Sequence, residues 1–163
     1  MNPLDELGLL VKAVQREAER RANEALQPFG ITSAQAEVLW VLERAEPLSL
    51  GELGDLLIAE GGHPSRLVER LVQAGYVKRQ TSTDDRRRLE VSLTPQGKLL
   101  ARQVSQIKAS LLDQAHLLLE RHDIEPVLAF LQDYLQGSQW ARTVELRRNL
   151  AQNPKSQMEE KGV

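Results

Sequence analysis

Arg86, Arg87 and Arg88 follow directly on Asp84 and Asp85, and a second cationic pair, Arg66 and Arg70, stands upstream beside His63 and Ser65. Guanidinium groups stay charged at any physiological pH and present a fixed fork of donors that matches phosphate oxygens or the edge of guanine. Hydroxyl and imidazole side chains add shorter-range donors and acceptors. A carboxylate such as Asp85 orients a neighbouring arginine through a charge-assisted hydrogen bond. This set of residue types suits gripping and reading a polyanion rather than making or breaking covalent bonds.

The charge distribution points the same way. The 163-residue chain carries a formal net charge of −2. Residues 63–88 hold seven Lys and Arg against three carboxylates, a surplus of +4, which leaves −6 for the rest of the chain. Positive charge is therefore concentrated in one stretch of an acidic protein, and that stretch is where a nucleic acid would bind.

Catalytic and metal chemistry find little support. The absence of cysteine excludes disulfides, thiolate nucleophiles and thiol redox sensing. There is no His-Glu-x-x-His, no phosphate-binding loop and no nucleophile elbow. His116 and His122 lie near Glu120 and Glu125, but an i, i+6 spacing does not place two imidazoles on one helix face. No enzyme activity, cofactor or metal is expected. The opening MNPLDELGLL lacks the basic start and apolar stretch of a signal peptide, and no apolar run is long enough to span a bilayer. A cytoplasmic location with no membrane partner is expected.

The elements that would position these residues can be read from caps and periodicity. Asn2-Pro3 opens an amphipathic helix to about Leu26, with Leu4, Leu7, Val11, Val14, Ala18, Ala22 and Ala25 along one stripe. Thr32-x-x-Gln35 and Ser49-x-x-Glu52 are capping boxes. The first starts a helix that is apolar on most sides, so it belongs at the centre, with Trp40 in the core. The second starts a short helix whose N-terminal amides, with Ser49, are placed to meet a phosphate.

Pro64 begins another short helix, to about Ala74, with Leu67, Val68, Leu71 and Val72 inward and Ser65, Arg66, Glu69, Arg70 and Gln73 outward; Gly75 stops it. The period then switches to two around Val77–Thr81 and Leu89–Leu93, which read as a hairpin tipped by residues 82–88. Thr94-Pro95 opens a helix of roughly 25 residues, longer than one small core can cover. Asp123 caps a further helix that stops at Gly137, and 138–151 form one more. The polar tail 153–163 is expected to be flexible.

The expected fold is mainly α, a single domain over 1–152. It comprises a winged helix-turn-helix over about 31–94, flanking long helices over about 3–28 and 95–136, and the extra helix. In such a unit the helix from Pro64 lies in a major groove and the arginine-tipped wing enters a minor groove. DNA contacts are accordingly assigned to His63, Ser65, Arg66, Arg70, Arg86, Arg87 and Arg88, supported by Asp85 in the wing and by Ser49 at the phosphate. The alternative is a winged-helix protein–protein module without DNA binding.

The stretches Gly30-Ile-Thr-x-x-Gln35, Leu53-Gly-Asp-Leu-Leu57 and Ser65-Arg-Leu-Val-Glu-Arg-Leu71 resemble the MarR (multiple antibiotic resistance regulator) family. So do Gly75-Tyr-Val-Lys-Arg79, Asp85-Arg-Arg87 and Leu93-Thr-Pro-Gln-Gly97, whose spacing matches that family's wing. The resemblance covers about residues 5–135. It implies a homodimer built from the first and last long helices, a palindromic double-stranded DNA operator, a repressor's role and frequent control by a small-molecule effector. Residues 138–163 run past the family's usual last helix.

Overall fold

A computed structural model describes residues 1–58, 63–82 and 87–152. Helix α1 (Pro3–Leu26) begins where the Asn2 side chain accepts the Leu4 N–H at 3.0 Å, with Pro3 in the first helical position. After a 3-10 turn at Gln27–Phe29 comes α2 (Ser33–Ala45), started by the Thr32–Gln35 capping box. A two-residue strand, β1 (Leu48–Ser49), runs directly into the short helix α3 (Leu50–Leu56). The recognition-type helix α4 (Pro64–Gln73) precedes strands β2 (Val77–Thr81) and β3 (Leu89–Leu93). Three helices close the chain: α5 (Pro95–Leu119), α6 (Glu125–Leu135) and α7 (Gln139–Gln152).

The sheet is antiparallel in the order β1-β3-β2, with Leu48 opposite Val91 and Val77 opposite Leu93. The hairpin was expected and β1 was not. Two residues are too short to show a period of two, and Ser49 serves both the strand and the cap of α3.

Helix α2 is the centre of the core. Val38, Leu39, Val41 and Leu42 are fully buried, joined by Leu53 of α3, Val68 and Leu71 of α4 and Val91 of β3. Each such side chain contributes about 1.5–3 kcal/mol by leaving water. Because α2, α3 and α4 share this core, the outward face of α4 is fixed relative to the wing. Glu46 adds a polar clamp at the end of α2: one carboxylate oxygen accepts the Leu93 N–H at 2.5 Å and the other pairs with Lys98 at 3.2 Å.

The long helices leave much apolar surface uncovered. Leu4, Leu10, Val11 and Val14 on α1 are exposed, as are Leu112, Leu117 and Leu118 on α5 and Val127, Leu128 and Phe130 on α6. Among the described residues no helix is long and apolar enough to cross a membrane.

Candidate nucleic-acid interface

Helix α4 is amphipathic in a simple way. Leu67, Val68 and Leu71 face the core, so Ser65, Arg66, Glu69, Arg70 and Gln73 are left on the exposed side. Pro64 occupies the first turn, where its missing N–H costs nothing, and Gly75 takes the left-handed conformation (φ 79°) that ends the helix. His63, exposed at the N-cap, makes no side-chain cap bond; its carbonyl accepts the Arg66 N–H at 2.9 Å. Arg66 and Arg70 form no ion pair with the described residues. Their guanidinium groups are thus available on a helix slim enough for a major groove about 12 Å wide.

The base of the wing is locked by three contacts around Tyr76 and Thr94. The Thr94 N–H donates to the Tyr76 carbonyl at 3.0 Å, and the Thr94 hydroxyl donates to the Gly75 carbonyl at 2.7 Å. The same hydroxyl accepts the Gly97 N–H at 3.0 Å, capping α5. The Leu-Thr-Pro-Gln-Gly motif therefore joins the end of α4 to the start of α5.

At the far end of the hairpin the Ser82 N–H donates to the Arg88 carbonyl at 2.8 Å. Arg87 is exposed there. Asp85 and Arg86 lie outside the described residues. The Arg88 guanidinium pairs with Glu52 of α3 and stands 3.4 Å from Glu90 of β3.

Ser49 forms the capping box expected of it. Its hydroxyl donates to the Glu52 carboxylate at 2.9 Å and accepts the Glu52 N–H at 3.3 Å, while its own N–H donates to Glu52 at 2.9 Å. The Ser49 N–H first, then Arg88, hold the Glu52 carboxyl below the usual carboxylate range. The start of α3 thus carries the Glu52 carboxylate, bound by Ser49 and Arg88.

A second feature lies on the other side of α2, in the crevice between the winged-helix lobe and the long helices, and none of its residues was assigned to a ligand from the sequence. A cavity of about 380 Å³ opens between α1, α2, α5 and α7, walled by apolar side chains including Ala22, Val104 and Ile107. Trp40 is buried in the core as expected, yet its ring also borders this cavity. Arg44, Lys108 and Arg147 stand 4.1, 4.2 and 4.3 Å from the centre of that ring, each within cation–π range. Arg44 pairs with Glu43 at 2.8 Å and Arg147 with Glu37 at 3.2 Å; Lys108 has no carboxylate partner among the described residues. Desolvation, and then the charges of Arg147 and Arg44, push the Lys108 pKa down. Only the Trp40–Arg44 pair, at i, i+4 on α2, had a signal in the linear sequence. Among the described residues no group of three or more His, Cys, Asp or Glu side chains converges as a metal site.

Residues 31–97 match the model of a winged helix DNA-binding domain, the span from the start of α2 to the first turn of α5. Over 106 residues the chain is 34% identical to the multiple antibiotic resistance protein MarR of Escherichia coli K12, covering 65% of this chain and 74% of that protein. The chain belongs to the MarR family. A crystal structure of a mutant E. coli MarR complexed with operator DNA superposes on this MarR-family chain with a TM-score of 0.67 at 30% identity, covering 83% of this chain and 96% of that one. The transcriptional regulator SarZ of Staphylococcus epidermidis is 27% identical over 112 residues, 69% of this chain and 76% of SarZ. This MarR-family chain is a DNA-binding transcription regulator, not an enzyme.

Proposed function

We propose that the chain works as a homodimeric repressor that binds a palindromic operator. The observation that carries this reading is the outward face of α4, where Arg66 and Arg70 stand exposed beside Ser65 and His63, without ion-pair partners among the described residues. In a dimer, two such helices would lie about 34–36 Å apart and enter successive major grooves. Arg87, with Arg86 and Arg88, would follow the backbone into the flanking minor grooves, Asp85 orienting one of them. The crystal structure of a mutant E. coli MarR complexed with operator DNA supports operator binding by this relative of it. The exposed leucines of α1, α5 and α6 supply an apolar surface of the kind a partner subunit covers. The site of action is the cytoplasm, where the DNA is.

The cavity beside Trp40 is the proposed effector site. Apolar walls and convergent cations suit a compact organic anion with an apolar body. An anion held more tightly by the form unsuited to DNA would release the operator by shifting the population.

Selection of bound sites from a random double-stranded DNA pool, followed by affinities at several salt concentrations, tests the first reading. A palindrome with half-sites one turn apart and a steep salt dependence supports it. The absence of any enriched site would move the function to a winged-helix protein–protein module.

A further inference from the structure

At the end of α3 the Leu57 N–H donates back to the Gly54 carbonyl at 3.3 Å. The last carbonyls of any helix lack intrahelical donors and must find partners elsewhere. Here the donors come from α7, far away in sequence. The Thr143 hydroxyl donates to the Asp55 carbonyl at 3.0 Å, and one turn further along, Arg147 Nη1 donates to the Leu56 carbonyl at 3.2 Å. Thr143 is 7% exposed, one of the few buried polar side chains among the described residues, so this hydrogen bond is made away from water. Leu146 and Leu150 pack the same helix onto the core. A cation at a helix C-terminus also meets the negative end of the helix dipole.

The same guanidinium reaches the cavity. Arg147 Nη1 lies 3.2 Å from Glu37 Oε1, and that carboxylate oxygen also accepts the Ile58 N–H at 3.1 Å. Glu37, Ile58 and Arg147 all line the cavity, and Arg147 stands over Trp40. One side chain therefore holds the end of α3, braces the segment leading towards α4, and forms part of the cavity wall. Any anion in the cavity competes with Leu56 and Glu37 for it.

We propose that α7 is a clasp that caps α3, and that an anionic effector acts by drawing Arg147 off the Leu56 carbonyl. The ligand arm rests on the effector reading of the cavity; the clasp itself does not. With the clasp closed, α3 and the start of α4 are held in the arrangement that fits DNA. With it open, the C-terminal end of α3 loosens. The linkage is reciprocal: whatever opens the clasp in advance must tighten the effector and weaken DNA.

The test uses the full chain in a Trp140→Phe background, so that Trp40 alone reports on the cavity by fluorescence, with benzoate as the probe. Hydrogen exchange of the peptide 50–58 reports on the clasp. Thr143→Val removes one cap hydroxyl at nearly constant shape at a residue that does not line the cavity. Thr143→Ser restores the hydroxyl. Benzoate should quench Trp40 saturably and speed exchange of 50–58. Thr143→Val should speed that exchange roughly fivefold without ligand, the scale of one net hydrogen bond, and bind benzoate more tightly; Thr143→Ser should return both to the parent values. Unchanged exchange in Thr143→Val would overturn the clasp. Faster exchange with weaker benzoate binding would overturn the coupling, because it marks a residue that only holds the fold together. No saturable quench in either protein would overturn the effector reading, and the exchange of Thr143→Val would still decide the clasp.

Discussion

Gly97 lies so close to Tyr76 that a β-carbon on it would fall 1.9 Å from the Tyr76 carbonyl oxygen. That oxygen accepts the Thr94 N–H, so it is held in place and has nowhere to retreat. Gly97→Ala should therefore destabilise the protein by about 2–4 kcal/mol, through displaced backbone rather than lost flexibility. A thermal melt checks this. An unchanged midpoint would mean that the junction between wing and α5 yields more easily than its hydrogen bonds indicate.

The two groups of arginines should separate by what they read. Arg87→Ala is expected to weaken binding to every DNA sequence alike and to reduce the salt slope by about one unit. Arg66→Ala is expected to cost about 1–3 kcal/mol at the selected site and to relax the preference at one base position. Affinities for a selected site and a scrambled one, each at several salt concentrations, distinguish the two patterns.

Glu52 competes with DNA for Arg88. Glu52→Gln keeps the capping box, since glutamine serves at that position, but removes the charge that holds Arg88 against α3. Tighter, more salt-dependent DNA binding is the expected outcome. Acid should mimic the substitution: the Glu52 pKa is lowered on folding, so its contribution is present at neutral pH and is lost as pH falls through that lowered value. Weaker binding by Glu52→Gln would show instead that the ion pair holds the wing in its working position.

Lys108 should oppose folding while it helps the effector. Its pKa is lowered in the folded chain, first by desolvation and then by Arg147 and Arg44, so the charged form is disfavoured at neutral pH and the strain is relieved as pH rises. Lys108→Met should raise the melting temperature of the free protein at pH 7. It should also weaken benzoate binding and abolish the loss of benzoate affinity expected of the parent on the alkaline side. A lower melting temperature would contradict this account.

The exposed leucines make a quantitative demand as well. Leu118→Asp and Phe130→Asp place charge on surface that is apolar and uncovered in the single chain. Either substitution should shift the protein towards monomer in sedimentation velocity and weaken operator binding in step, because two half-sites then bind separately.

What the sequence determined by itself was local. The Asn2, Thr32–Gln35, Ser49–Glu52 and Thr94 caps, the stop at Gly75 and the change of period at Val77 join residues no more than a few positions apart. Such contacts are written in linear spacing, and with them came the helices, the wing and the exposed face of α4. What only the tertiary structure decided joins residues that are remote in the chain. Arg88 meets Glu52 across 36 residues, Thr143 meets Asp55 across 88, and Arg147 meets Leu56 across 91. Three cations from α2, α5 and α7 gather on Trp40 for the same reason. No spacing rule encodes these meetings; they follow from how buried leucines and valines pack the helices around α2, and polar side chains then take the partners that packing leaves within reach.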